Sequence, residues 1–320
     1  MVQEKYDIII AGGGLSGLLT AMSLTEQCRA NGAPLINIAI IESQPITHEP
    51  SHGFDARVLA LSHGTVGYLS SINLWSVVAD YAQPIQRIHI SDRGYYGKAR
   101  IDAEQHSVDA LGYVIEMTLL GRALYQSLSK MDNISWYCPD SIENIEWSQQ
   151  QVTVKLSGDI KLNAALLLGC DGAQSVCRQF ANIAVTQKDY GQSAIICNVQ
   201  MEKSHQNIAY ERFTQFGPLA MLPMVDKQTA GKTCSLVWTL TPEQAKFHFA
   251  QSEDDFKRDL LRAFGSWLGE VKSASKRLKF PLSLVQADDQ VFHRMALVGN
   301  ASHTIHPIAG QGFNLGARDV

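Results

Sequence analysis

The chain has 320 residues, of which 45% are hydrophobic and 18% charged, and its formal net charge is −4. This composition excludes a disordered chain and supplies a sizeable core for roughly two domains of ordinary size. With no long basic or acidic run, nucleic acid is excluded as the main partner.

The chain opens on YDIIIAGGGLSG, residues 6–17, where a β-branched apolar run meets a glycine cluster and a helix follows. Gly12, Gly14 and Gly17 fit G-x-G-x-x-G between strand and helix, the context that a dinucleotide fingerprint needs. Gly12 turns the chain out of the strand. Gly14 clears the approach of a pyrophosphate to the backbone, and Gly17 lets helix and strand pack closely. The helix N-terminus then offers free N–H groups and the positive end of its dipole. Residues 8–24 imitate a signal peptide or membrane span, but Glu4 and Asp7 precede them and the glycines interrupt them, so neither is expected. A second strand, 37–41, ends on Glu42, whose carboxylate suits ribose hydroxyls or is simply a solvated strand end.

Residues 45–53 read as a loop in which His48 and His52 are solvated. Arg57, just before an apolar run, is either a snorkelling surface cation or a partner of the pyrophosphate. Residues 62–75 read as a helix and its end. Strands are expected at 86–91 and 112–118, with a charged hairpin or loop between them, and then a helix at 120–128 that carries Arg122. Short strands at 134–137, 142–147 and 152–156 suggest a meander. The strand 164–170 runs into Asp171-Gly172, a tight-turn device that at a nucleotide site is also a hydroxyl acceptor.

Four apolar-alternating runs, 195–200, 209–215, 219–224 and 234–240, read as antiparallel sheet, followed by a helix at 254–264. Met221, Leu222 and Pro223 are the candidate substrate wall, against the plain alternative of a sheet packing on its own core. A strand at 295–298 runs into Gly299-Asn300, then His303, His306 and Pro307, then Gly310, Gln311, Gly312 and Asn314. This is a second glycine-rich loop opening a helix. The sequence stops at Val320 inside that helix, which reads as the end of a truncated or partial chain. Six cysteines, Cys28, Cys138, Cys170, Cys177, Cys197 and Cys234, show neither C-x-x-C pairing nor metal-ligand spacing, and read as buried, reduced thiols of a cytosolic protein without a metal site.

Three separated segments together resemble the flavoprotein aromatic hydroxylases, the group typified by para-hydroxybenzoate hydroxylase. The fingerprint at 12–17 with Glu42 resembles their site for the ADP half of FAD. CDGAQS at 170–175 with Arg178 resembles their DG motif, and 299–314 their GD motif with its GQGxN continuation. The stretches GFDARVLAL, ERFTQFGPLAMLPM and HTIHPIAGQGFNLG are similar to those of the ubiquinone-biosynthesis branch. The resemblance implies an FAD monooxygenase that uses NADPH or NADH and O2, through a C4a-hydroperoxyflavin, to hydroxylate the ring of a polyprenylated phenol. It assigns Gly12, Gly14 and Gly17 to the pyrophosphate, Glu42 to ribose, and Arg57 and Arg122 to the flanks of the phosphates or ribityl chain. Asp171 with Gly172, and Gly299 with Asn300, hold the flavin chain; Pro307 shapes the loop whose Gly310, Gln311, Gly312 and Asn314 present N–H groups to the ring. His303 and His306 either assist phenol deprotonation or fix loop geometry.

The expected fold is α/β. A Rossmann-like FAD-binding domain with a parallel sheet takes residues 1–82, 119–184 and 285–320. A discontinuous α+β substrate domain with an antiparallel sheet takes 83–118 and 185–284. Asn300 departs from the aspartate common in the family, keeping hydrogen bonding but losing charge. The helices that follow in the family are missing from the sequence. Peripheral contact with the inner membrane face, a quinone-biosynthesis complex and a homo-oligomer are the alternatives left open for partners. The competing functions are a plain NAD-dependent dehydrogenase, which leaves 299–314 unexplained, a different aromatic hydroxylase, and a non-catalytic flavin-binding partner of a quinone-biosynthesis complex.

Overall fold

The computed structural model describes residues 2–45, 57–226 and 228–320. His48, His52 and the rest of the 46–56 segment lie outside the described residues. The strand Ile8–Ala11 sits inside a six-stranded sheet, flanked in parallel by Leu166–Gly169 and Ile38–Ile41, with Ile134–Tyr137 beyond. On the other side Leu166–Gly169 pairs in parallel with Met295–Leu297, and Val291–Phe292 closes that edge antiparallel.

Both faces of this sheet are covered, which is why its strands are continuous apolar runs rather than alternating ones. Strand alternation sends Ile10, Ile38 and Ile40 to one side, where the helices Leu15–Ala30 and Met117–Leu128 pack. The second helix meets them with Leu120, Leu124 and Leu128, a single stripe at four-residue spacing with no exposed surface. Ile9, Ala39 and Ile41 point the other way, onto a four-stranded sheet. That sheet is the antiparallel meander Ile142–Trp147, Val152–Leu156 and Ile160–Ala164, joined in parallel by Val2–Lys5. Ile134–Tyr137 was expected in the meander; it belongs instead to the parallel sheet, because its Ile134 continues the buried row of Ile38.

A three-stranded sheet, Val58–Ser62, Gly112–Glu116 and Gln83–Ile85, lies where the chain passes from the parallel sheet to the second half of the molecule. There a nine-stranded sheet is built on the 17-residue strand Val185–Met201. Thr233–Leu240, Gly217–Pro223 and Ile208–Thr214 follow it antiparallel in that order. Arg87–Asp92 then adds in parallel and Lys98–Asp102 closes as a hairpin. Leu278–Ala287 pairs on the far side of Val185–Met201 and crosses the expected boundary at 284/285. Its Lys279 and Pro281 interrupt the apolar pattern, so periodicity does not reveal it. The helix Met117–Leu128 likewise runs across the expected boundary at 118/119.

One face of the large sheet is a core. Ile195, Cys197, Leu219, Met221, Leu236 and Trp238 pack against Phe256, Leu260 and Phe264 of the helix Glu253–Phe264. The opposite face carries their neighbours in sequence, Ile196, Ala220, Leu222 and Val237, and lines a cavity. Of the three residues expected as substrate wall, only Leu222 therefore faces the cavity. Met221 is fully buried behind the sheet, and Pro223 is also buried and off the cavity wall. The physical reason is the two-residue period of a strand, which cannot present three consecutive side chains to one side. Accordingly, Met221→Ala should cost about 2–5 kcal/mol of stability in urea unfolding, and Leu222→Ala roughly half of that or less.

Candidate active site

A cavity of about 1230 Å³ lies between the loops at the ends of the parallel strands and the open face of the large sheet. It exceeds the ~300–1,000 Å³ of an ordinary small-molecule pocket, so it has room for a dinucleotide and a second molecule. Its walls come from three loops, one sheet face, the strand Val58–Ser62 and the helix Met117–Leu128.

The first loop follows Ile8–Ala11. Gly12 has a φ of 103° and lies against the second loop: a methyl group there would stand 2.5 Å from the Cys170 carbonyl oxygen. At Gly17 a methyl group would stand 1.9 Å from the Gly12 carbonyl oxygen. Neither residue lines the cavity; both bring its walls together. Gly14 does line it, with no heavy atom within 4 Å of where a side chain would begin. It precedes Leu15–Ala30, so the free N–H groups of that helix open onto a cleared space. Glu42 stands at the end of Ile38–Ile41. Its Oε2 accepts from the Gly13 N–H at 2.8 Å and its Oε1 from the Gln44 N–H at 2.7 Å, so the carboxylate shapes the glycine loop from the side.

The second loop follows Leu166–Gly169. Asp171 Oδ2 accepts from the Cys177 N–H at 3.0 Å, while Oδ1 is buried with no hydrogen-bond partner among the described residues. A buried carboxylate oxygen without a donor is costly unless a ligand hydroxyl supplies one. Gly172, at φ 80°, lines the cavity. Arg178 is buried and ties the second loop to the third, donating to the Ala173 and Ala301 carbonyls at 2.8 Å each. Cys170 also lines the cavity, but burial pushes its thiol up to about 12, so it stays protonated and is no nucleophile at neutral pH.

The third loop follows Met295–Leu297. Gly299 and Asn300 line the cavity, as do Pro307, Gly310, Gln311 and Gly312. Ala309 and Gly310 are both left-handed, at φ 55° and 61°, and reverse the chain into the helix Gln311–Asp319. Asn314 does not line the cavity; it locks this loop in place. Its Oδ1 accepts from the Ser62 N–H and the Thr65 hydroxyl, and its Nδ2 donates to the Ala60 and Gly310 carbonyls. The amide thus uses all of its ordinary hydrogen-bonding capacity within the protein.

The two histidines are held away from the cavity wall. Asp319 Oδ2 accepts from the Gly299 N–H at 2.8 Å and lies 2.8 Å from His303 Nε2. His306 Nδ1 accepts from the Ile308 N–H, its Nε2 lies 3.2 Å from Gln192 Oε1, and burial lowers its pKa. His306 is thus engaged at both ring nitrogens and His303 at Nε2. Arg57 and Arg122 do line the cavity, and the Arg57 guanidinium also lies 5.6 Å from the centre of the Phe280 ring.

Sequence reasoning missed Glu211. It lies in the strand Ile208–Thr214, between Ala209 and Phe213 on the cavity face, and it is the only carboxylate among the described residues that line the cavity. Burial raises its pKa, opposed by a hydrogen bond from the Ala309 backbone. The available signal was a lone charge at the inward position of an alternating strand.

Over residues 5–320 the chain matches the family described as FAD binding domain. Ubiquinone hydroxylase UbiL of Rhodospirillum rubrum is 33% identical over 319 residues, which span 98% of this chain and 70% of that protein. The 3-demethoxyubiquinol 3-hydroxylase of Escherichia coli is 32% identical over 324 residues, 100% of this chain and 79% of that one. Among solved structures, PqsL, a probable FAD-dependent monooxygenase from Pseudomonas aeruginosa, is similar in fold. Its TM-score is 0.80 at 20% identity, covering 98% of this chain and 83% of that chain.

The Asn314 lock has a measurable consequence. Asn314→Leu strands the Ser62 N–H and two carbonyls, each worth about 1–3 kcal/mol when buried unpaired. The variant should melt well below the wild type, and FAD titration should show weakened binding although residue 314 does not line the cavity.

Proposed function

The chain belongs to the FAD binding domain family and is an FAD-dependent monooxygenase; we propose that it hydroxylates the aromatic ring of a polyprenylated phenol in ubiquinone biosynthesis, with NAD(P)H and O2 as co-substrates. One observation carries this reading: a single cavity runs from a dinucleotide loop to the apolar face of a sheet, so cofactor and substrate share one continuous space. The relatives named as ubiquinone hydroxylases supply the substrate class. The sequence also resembles the enzymes that act on 2-polyprenyl-6-methoxyphenol.

The residues present fit FAD. Gly14 leaves open the space where a pyrophosphate would meet the helix N-terminus. Asp171, between the cavity-lining Cys170 and Gly172 but not itself on the wall, has a buried Oδ1 with no partner among the described residues that a ribityl hydroxyl would satisfy, and Asn300 on the cavity wall is a second hydrogen-bonding group for the same chain. Glu42 is not on the cavity wall but borders the glycine loop, and would take ribose hydroxyls with the lone pairs that the loop leaves over, while Arg57 and Arg122 supply positive charge along the cavity. When bound, FAD supplies the electron transfer from NAD(P)H and the activation of O2.

The chain's own task is to hold, orient and dry the reacting groups. The 310–313 loop presents backbone N–H groups at the start of a helix, where they stabilise negative charge. Leu222, Val237, Ile88 and Ile90 exclude water from the ring-binding side. A polyprenyl tail adds about 0.8 kcal/mol for each buried CH2. Such a substrate partitions into lipid, so the proposal includes peripheral contact with the inner face of a membrane or transfer from a quinone-biosynthesis protein. Among the described residues, no helix is long and apolar enough to cross a membrane.

The test is direct. Purified protein should carry or take up FAD, turn yellow, and consume NAD(P)H and O2 with a short-tailed prenylphenol. Gly14→Val should still fold, since the space at Gly14 is open, yet lose FAD and fail to restore quinone synthesis in cells lacking the protein. A wild type that stays colourless after reconstitution contradicts the proposal.

A further inference from the structure

The proposed reaction needs a group that positions the phenol hydroxyl and receives its proton, and the histidines of the third loop are turned to other partners. Glu211 has the geometry for this task. In the sheet register it stands opposite Ala220 on one neighbouring strand and Ile90 on the other, so its surroundings on the cavity face are apolar. Also on the cavity wall, and close enough to act on its carboxylate, is the backbone of Ala309, at the left-handed turn that leads into the helix Gln311–Asp319. The carboxylate therefore joins the wall that receives the ring to the loop that holds the cofactor.

We propose that Glu211 is the catalytic residue that accepts the phenolic hydroxyl of the substrate, aligns the ring against the third loop, and takes the phenol proton. The assignment rests on the phenol reading given above. The phenol O–H bond breaks, an O–H bond forms on the carboxylate, and the electron pair left on the phenol oxygen enriches the ring toward oxygen transfer from the bound cofactor. The hydroxylated ring carbon then gives up its proton, which goes into the water formed from the second oxygen atom of O2, while Glu211 returns the proton it took to the ring oxygen, and aromaticity is restored. The carboxylate ends the cycle as it began. Burial supports this role, because a carboxylate with a raised pKa is a stronger base toward a phenol. The Ala309 backbone close to it acts against that rise and favours the ionised form.

The experiment compares FAD-loaded wild type with Glu211→Gln, which keeps size and a hydrogen-bond acceptor, and with Leu222→Ala on the same face. A short-tailed prenylphenol and its methyl ether are titrated by the perturbation of the flavin spectrum, and product is measured against NAD(P)H consumed. The wild type should prefer the phenol by at least about tenfold, as expected for a hydrogen bond to a charged group. In Glu211→Gln, FAD content should be unchanged, the preference should collapse to within about twofold, and product formation should fall by about 10²–10⁴-fold, with NAD(P)H diverted to peroxide. Leu222→Ala should weaken both ligands alike and keep the preference. Glu211→Gln that discriminates and hydroxylates like the wild type overturns the assignment alone. A wild type that loads FAD but binds neither ligand overturns the phenol reading, and the assignment with it.

Discussion

The structure depends on how closely three backbone segments approach one another beside Gly12. The helix Leu15–Ala30 comes so near its own strand that no side chain fits at Gly17, and the first loop comes so near the second that none fits at Gly12. This contact places a helix N-terminus and the turn after Leu166–Gly169 on the rim of one cavity. A methyl group at either glycine would have to push backbone aside, where relaxation is expensive and overpacking costs about 1–3 kcal/mol or more. The shared rim of the first two loops follows from that approach.

The third loop is brought in by different means. Arg178 holds it to the second loop through two carbonyls, and Asn314 holds it to Ala60 and Ser62 of the strand Val58–Ser62 and to Thr65 just beyond, with a fourth hydrogen bond to Gly310 inside the loop. Both side chains are buried and carry out no chemistry. They set the distance between the loop and the facing sheet, and that distance decides whether Glu211 can reach the Ala309 backbone. The sheet does its part by alternation: one set of side chains makes a core with the helix Glu253–Phe264, and the set between them makes a wall.

What was legible in the sequence was local. The glycine fingerprint, the β-branched strand before it, the acidic strand end at Glu42 and the glycine-rich run at 299–312 each announce themselves within a few residues; of these, Gly14, Gly299, Asn300, Gly310, Gln311 and Gly312 lie on the cavity wall, and Glu42 bonds to the glycine loop. What was not legible needed pairing at long range. The strand Leu278–Ala287 carries Lys279 and Pro281 and looks irregular until Val185–Met201 lies beside it. Ile134–Tyr137 is ambiguous between two sheets until its neighbour is known. Met221 and Leu222 look equally suited to a pocket wall, and only the register separates them. His303 and His306 drew attention as titratable groups in a cofactor loop, yet Asp319 and Gln192, far from them in sequence, take up their nitrogens.

The central claim is that one cavity holds FAD along three loops, with its ring turned to the open face of the large sheet. A crystal structure of the protein with FAD bound tests it most directly. The account predicts the pyrophosphate at Gly14 and the N-terminus of Leu15–Ala30, the ribityl chain beside Asp171 and Asn300, and the ring between residues 310–313 and the face that carries Leu222 and Glu211. A flavin bound in the reverse direction, or outside this cavity, would contradict it.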